Sequence, residues 1–471
     1  MFLFPCSLRI CFFSFWLRQC LNNLKVIDLS NSRFFAKTPN FSGVPCLERL
    51  ILENCTSLAD IHQSVGELKK LVFLNLKGCG RLQNLPESIS HLKSLETMNL
   101  EGCFRLKKLP EQLGNMKVLT DLLLDGTDVQ NLPSSTGILK KLKKLLVNGP
   151  RVRVVVVPQS SSYSEEEELV IKQEKELVIE QQPFLPLSLS GLSSLTTLDI
   201  SCRDLSNNDI SINLGSLSSL QDLNLAGNHF SELPAGIGNL AKLEKLDLSG
   251  CRNLLFISDI PSSLRALVAR YCTSLEKVSI QSKTAPDLLL GGCGKLAEIQ
   301  GLESVENKPV IRMENCDNLS NNFTEILLQV LSKGKLPDVV LPGSDVPRWF
   351  IQYQRDRSSS TFRIPPIPAG LSPGIIVWTV YGATEEGRWR RWSLCSASIR
   401  KKKDDDELFY TRPYLDISAE HKNHSWVIYI PFSRIQGAIE GGDELEVSVK
   451  PGDYTIVKEC GVHPIFLSST L

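Results

Sequence analysis

Net charge is the first thing this sequence lacks. Its 52 Lys and Arg balance 52 Asp and Glu over 471 residues, so no long-range field draws the chain to nucleic acid or to an anionic membrane. Any partner must be recognised by local pattern. Met1 to Leu17 are rich in Phe, Leu, Ile and Cys, yet Arg9 interrupts the run and no small-x-small cleavage site follows; Arg18-Gln19-Cys20 leads straight into periodic sequence. That segment does not read as a secretory leader. No later segment reaches the roughly 18 consecutive apolar residues of a membrane helix. Signals for chemistry are equally scarce. Histidine occurs six times, and His421 and His424 have no neighbouring His, Cys or carboxylate cluster to complete a metal site. Neither a G-x-S-x-G elbow nor a G-x-x-x-x-G-K-[ST] loop occurs. Gly294-Lys295-Leu296 lacks the earlier glycine and the hydroxyl that would hold magnesium. These absences exclude the common enzyme signatures, and no cofactor is expected.

What is present is a period. Apolar residues at 42% and charged residues at 22% are ordinary for a folded protein, and the length suggests about two to four units. The motif L-x-x-L-x-L, followed by a polar residue, a small or polar residue, and then Cys, Asn or Thr, recurs down the chain. Leu71-Val72-Phe73-Leu74-Asn75-Leu76-Lys77-Gly78-Cys79 and Leu243-Glu244-Lys245-Leu246-Asp247-Leu248-Ser249-Gly250-Cys251 are two copies. Units begin near Leu24, Leu47, Leu71, Leu95, Leu119, Leu142, Leu195, Leu220, Leu243, Leu264, Ala285 and Lys308, at steps of 21 to 25 residues except for the jump after Leu142. That spacing is the leucine-rich-repeat period. Each x-L-x-L-x is a short strand with inward leucines, and a single unit cannot bury its apolar face, so neighbours stack under one long parallel sheet. Leu85-Pro86, Leu109-Pro110, Leu132-Pro133 and Leu233-Pro234 precede stretches that predict short helices on the convex back, with proline in the first turn.

Between Gly149 and Leu187 the period breaks. A valine run (152–157), three serines (160–162), Glu165 to Glu168 and a doubled Glu-Leu-Val-Ile occupy about 29 residues beyond one ordinary unit. They read as an inserted acidic loop. Cys55, Cys79, Cys103, Cys251, Cys272, Cys293 and Cys316 fall at one point of the repeat, where a small buried thiol fits as a reduced packing residue. On the concave face, the residue after the third leucine runs Glu53, Lys77, Glu101, Asp125, Asn148. Strands about 4.8 Å apart would set the first three as an alternating charge ladder. Exposed pairs contribute only about 0–1 kcal/mol, so this row serves either to keep the sheet soluble or, with Arg49, Phe73 and Arg270, as a recognition surface.

After Cys316 the period stops. Residues 322–333 have helical spacing and end at Gly334. From Leu336 short strands alternate with Pro, Gly and Ser, as in Gly374 to Val380, Ser425 to Ile430 and Glu444 to Val449. About 135 residues of that kind predict an antiparallel β-sandwich.

Two stretches carry a resemblance. Leu24-Lys25-Val26-Ile27-Asp28-Leu29-Ser30 with Thr38 to Leu50 resembles the repeat array of TIR-type nucleotide-binding leucine-rich-repeat disease-resistance proteins of plants. Leu341-Pro342-Gly343-Ser344-Asp345-Val346-Pro347-Arg348-Trp349-Phe350, with Val457 to His463, resembles the jelly-roll/Ig-like domain that follows those repeats. The resemblance covers about 21–471 and implies direct binding of pathogen effectors or host targets. Nothing here resembles the nucleotide-switch or TIR modules of that family.

The expected fold is therefore an α/β leucine-rich-repeat solenoid, with short helices or irregular chain on its convex face, followed by an all-β antiparallel sandwich. The expected limits are an apolar segment at 1–23, repeats at 24–149, an acidic loop at 150–186, repeats at 187–320, a helical linker at 321–335 and the sandwich at 336–471. The expected partner is a protein, a pathogen effector or host target, with a full-length immune receptor as a second candidate. No nucleic acid and no membrane span are expected. Contacts are assigned to Arg49, Glu53, Phe73, Lys77, Glu101, Asp125 and Arg270 on the repeats, and to Ser344, Asp345, Arg348 and Trp349 in the sandwich. The expected location is the cytoplasm, and also the nucleus. The competing reading is an extracellular leucine-rich-repeat receptor-like or inhibitor protein, for which N-x-[ST] sequons stand at Asn40, Asn54, Asn318, Asn322 and Asn423.

Overall fold

A three-residue strand cannot stand alone, and this chain stabilises each one by pairing it with the same triplet of the next turn. The computed structural model describes residues 21–471 apart from 150–188, 190, 208–213, 308, 321–322, 324–325, 328–329, 332–337, 344, 347–349, 351, 356–357, 368–370, 385–391, 395, 403–406, 412–413, 417–422, 436–438, 453 and 469–471. The expected apolar segment and acidic loop lie outside the described residues, except for Leu21, Asn22 and Asn23. Two units are distinguished: Met1–His229 with Pro234–Leu243, and Phe230–Leu233 with Glu244–Leu471.

In the first unit the strands are β1 (Val26–Asp28), β2 (Arg49–Ile51), β3 (Phe73–Asn75), β4 (Thr97–Asn99), β5 (Asp121–Leu123), β6 (Lys144–Leu146), β7 (Thr197–Asp199) and β8 (Asp222–Asn224). They pair in parallel and in one register: Arg49 beside Phe73, then Thr97, Asp121, Lys144, Thr197 and Asp222. The middle residue of each triplet points inward. Leu50, Leu74, Met98, Leu122, Leu145, Leu198 and Leu223 are fully buried, each stabilising the stack by about 1.5–3 kcal/mol. Because β6 pairs directly with β7, the long interruption leaves from between two hydrogen-bonded strands.

In five of these strands the last residue closes the strand with its side chain. Asp28, Asn75, Asn99, Asp199 and Asn224 accept, through their side-chain oxygens, the backbone N–H two residues on, at 2.9–3.0 Å. This is the Asx turn, which suits Asp and Asn because their short side chains reach that donor. The turn then passes through left-handed backbone at Asn31 (φ 63°), Asn54 (57°), Gly78 (73°), Gly102 (70°) and Gly126 (68°).

The back of the first unit corrects the expectation of short helices. It carries 3-10 turns at Gln63–Glu67, Glu87–His91, Leu113–Asn115, Ser134–Ile138, Leu214–Ser216 and Ile237–Asn239. Pro86 and Pro133 sit at the cap before these turns, not inside them. Only three to five residues are available there, too few to offset the nucleation of an α-helix, whereas one tight turn fits.

In the second unit β9 (Lys245–Asp247), β11 (Ala266–Val268), β13 (Asp287–Leu289) and β15 (Ile311–Arg312) continue the repeat. On its other side β10 (Phe256–Ile257), β12 (Lys277–Ser279) and β14 (Glu298–Gln300) make a second parallel sheet. β16 (Asp338–Pro342) then pairs in parallel with β15, placing Ile311 beside Val339, and antiparallel with β24 (His424–Pro431). The long strands β19 (Leu371–Ala383) and β26 (Thr455–Ser468) follow in the same sheet, with β17 (Gln352–Arg355) on β26. β18 (Ser359–Arg363), β21 (Ser396–Lys401), β22 (Glu407–Thr411) and β25 (Glu444–Lys450) form a separate antiparallel sheet, and β20 (Trp392–Leu394) pairs with β23 (Tyr414–Asp416). One buried cluster joins Phe362, Ile399 and Val447 of the separate sheet to Val377, Trp426 and Cys460 of the longer one. Within the expected linker, the described residues Phe323, Ile326, Leu327, Val330 and Leu331 are helical, and all but Ile326 are buried.

The repeat cysteines are buried and hold turn to turn. The thiols of Cys55, Cys79 and Cys103 donate to the carbonyls of Leu29, Leu52 and Leu76 in the preceding turn, at 3.2–3.3 Å. Cys272, Cys293 and Cys316 do the same to Leu248, Ala269 and Leu290 at 3.0–3.2 Å. Burial pushes the Cys103 thiol up to about 12, which suppresses the reactive thiolate. Asn228 fills this position in its own turn, and its amide donates to Ile200 O at 3.1 Å.

Candidate functional site

The outward residues of β1 to β6 form an ordered strand face in the first unit. Within it, the Arg49 guanidinium lies over the Phe73 ring at 4.1 Å from the centroid, since their strands are adjacent and in register. Such a stack contributes about 0.5–1 kcal/mol at an exposed site and fixes a long cation in one place. At the strand exits Lys77 Nζ meets Glu101 Oε2 at 2.7 Å. That hydrogen bond, with the carboxylate's charge, raises the Lys77 pKa. The cluster thus offers a flat aromatic surface, a held guanidinium and a paired ammonium within three neighbouring turns.

The alternating ladder is corrected in two places. Glu53 accepts from the Asn75 amide at 3.1 Å and is held by the Asx residue of the next turn; its carboxylate reaches Lys77 only as a more distant charge. Asn148 is buried: its side-chain oxygen accepts Gly126 N–H at 2.9 Å, and its own N–H donates to Asp125 at 3.4 Å. Asp125 is consequently half-buried. Burial raises its carboxyl to about 6, with Asp199 and Glu101 adding to the rise and the Asn148 N–H and Lys144 opposing it. The row is a surface at Glu53, Lys77 and Glu101 and turns into packing at Asp125 and Asn148.

Arg270 belongs to the second unit, half-buried at the exit of β11. Ser344, Arg348 and Trp349 lie outside the described residues. Asp345 is exposed, whereas Val346 and Phe350 of the same stretch are buried. Phe350 sets its ring edge-on against Trp378 at 5.8 Å and close to His463 at 5.6 Å. That part of the expected contact loop is core.

One polar centre was missed. Arg203 is buried, donating from Nε to Val147 O at 2.6 Å and from Nη1 to Val129 O at 2.7 Å, and burial lowers its pKa to about 10. It ties the turn after the interruption to the turns before it. The only sequence signal was an Arg where most other turns carry Cys, Ser, Thr or Asn. Among the described residues no group of three His, Cys, Asp or Glu could hold a metal ion.

Stacked three-residue strands, inward leucines and turn-to-turn thiols define a leucine-rich-repeat protein. The family model for leucine-rich repeats of RPS4B-like disease resistance proteins matches residues 91–293. The chain is 28% identical over 345 residues to disease resistance protein RPS4B of Arabidopsis thaliana, covering 69% of this chain and 24% of that protein. It is 31% identical over 292 residues to TMV resistance protein N of Nicotiana glutinosa, covering 52% of this chain and 25% of that one. A 50-residue stretch is 58% identical to disease resistance protein RPV1 of Vitis rotundifolia, covering 11% of this chain and 4% of the relative. The repeat region of this chain is similar to the leucine-rich repeats of these plant disease resistance proteins. The chain spans about a quarter of the length of the first two relatives.

Proposed function

We propose that these residues form the recognition part of an intracellular plant disease-resistance receptor, which binds a pathogen effector or a host target protein. The repeat strand face supplies one contact surface. The two antiparallel sheets of the C-terminal part, read as a jelly-roll/Ig-like sandwich, supply another through exposed positions such as Asp345. Recognition is the role assigned to this stretch, and the leucine-rich repeat is a scaffold suited to binding. The buried, protonated thiols accord with a reducing compartment.

The observation that carries the reading is the Arg49–Phe73 stack beside the Lys77–Glu101 pair. Arginine and aromatic side chains dominate interface energetics once a partner excludes water. An R49E/K77E double variant is expected to lose about tenfold or more in binding to its effector or host target. Its thermal midpoint should stay near that of the wild type, because both side chains are exposed at the sheet surface. Co-precipitation from leaf extracts expressing candidate effectors, with recovered partners then titrated against purified protein, measures the effect. Equal affinity for wild type and variant would remove the strand face from the proposal.

A further inference from the structure

A second surface in the first unit lies where the chain approaches the strands. Before β3, β4, β5 and β6, a hydrogen-bonded turn runs between two buried apolar residues: Leu68 to Leu71, Leu92 to Leu95, Met116 to Leu119 and Leu139 to Leu142. In each, the N–H of the second anchor donates to the carbonyl of the first, at 2.9–3.3 Å. With both anchors in the core, the residue after the first anchor has nowhere to go but outward. That residue is lysine every time: Lys69, Lys93, Lys117 and Lys140, all exposed. Each precedes its strand by the same number of residues, and the strands pair in register, so the four stack in one row. Lys70, Lys141 and Lys143 flank the row.

At about 4.8 Å per strand the row extends for roughly 14 Å. Like charges set opposite one another in neighbouring strands are destabilising. Among the described residues no carboxylate pairs with Lys93, Lys117 or Lys140, although Lys77, Lys25 and Lys283 each have one. Lys69 donates to Gly66 O, a neutral carbonyl, at 2.7 Å. The row ends with the turn before β6, and the equivalent positions before β7 and β8 are Ser193 and Ser218.

We infer that this lysine row is a docking strip for an extended acidic segment of a partner protein, separate from the strand face and independent of the defence reading. Carboxylates at alternate positions of an extended chain recur every ~6.8 Å on one side, so about three of them cover the row and offset the repulsion within it. The strip is too short for the many phosphate contacts that nucleic-acid binding needs, and the balanced charge of the whole chain gives no wider field to support it.

The test uses the full chain and a fluorescent alternating Glu-Ser peptide, read by anisotropy at low and moderate salt, with a thymidine oligonucleotide of equal charge as the competing probe. Wild type should bind the peptide, more weakly as salt rises, and a K93E/K117E/K140E variant should bind at least about tenfold more weakly. A K107E/K108E control, which changes exposed lysines elsewhere in the same turns, should stay within about twofold of wild type. Circular dichroism melts on each variant separate lost folding from lost binding. Equal peptide affinity for the triple variant and the control, or tighter binding of the oligonucleotide than of the peptide, would overturn the assignment.

Discussion

Asp125 shows how far a residue's role departs from its place in a motif. By register it continues the row of Glu53, Lys77 and Glu101, yet the next position, Asn148, turns inward to serve the Gly126 N–H and leaves the Asp125 carboxyl half-covered. Its pKa of about 6 in the fold lies above the ordinary 3.8. The folded chain therefore binds more protons than the unfolded chain between those values, and stability falls as pH rises through that window. Below about pH 4 the group is protonated in both states and costs nothing. D125N keeps an acceptor for the Asn148 N–H and removes the charge. Its melting temperature should exceed that of wild type at pH 7, and the two should converge near pH 4. A gap that stays constant across pH would show that burial of this carboxylate is not the cause. For Arg49 and Phe73, by contrast, the sequence indicates outward positions on the strand face, and the register of adjacent repeats sets them side by side; the stack of guanidinium on ring is a finding of the structure.

At the scale of the element, the strands were legible and the connections were not. Leucine spacing located each triplet because inward burial is a demand on side-chain type, and side-chain type is what a sequence records. The back of the repeat is governed by how many residues remain to return the chain. In the first unit that number allows a 3-10 turn; in the second, where two steps shorten to 21 residues, the chain stays extended at β10 and β12, and β14 pairs beside them before a 3-10 turn at Leu302–Ser304. A two- or three-residue strand has no alternation long enough to read. The turn after each strand is the clearest backbone demand in the repeat. Gly102 adopts φ 70°, and a Cβ built there would meet nothing closer than 3.6 Å, so a substitution meets a conformational cost and no clash. G102V should cost about 1–2 kcal/mol in urea unfolding. G102N should cost well under half of that, since Asn31 and Asn54 already hold the same turn. Equal losses for Val and Asn would mean that the left-handed backbone is not what selects glycine here.

At the scale of the whole molecule, the second unit joins what the sequence separates. Periodicity ends at Cys316 and strand alternation resumes near Leu336, a change of pattern that reads as a boundary. Backbone hydrogen bonds carry no sequence signature, and they cross it: β15 pairs in parallel with β16, and Met313 N–H donates to Val340 O at 2.9 Å. The last repeat strand therefore has the C-terminal sheet as its neighbour. Ending the chain at Lys335 would leave the N–H and C=O groups of Ile311 to Met313 without β16, and an open, apolar edge of that kind recruits other chains. In hydrogen exchange, Ile311 to Met313 should exchange at least about tenfold faster in the shortened protein than in the full chain, while Leu74 and Met98 in the first unit keep their rates. Light scattering should show the shortened protein associating as its concentration rises. Unchanged exchange at Ile311 to Met313 in a monomeric shortened protein would mean that the β15–β16 pairing contributes nothing to holding the repeat array, and that the two patterns in the sequence mark independent domains after all.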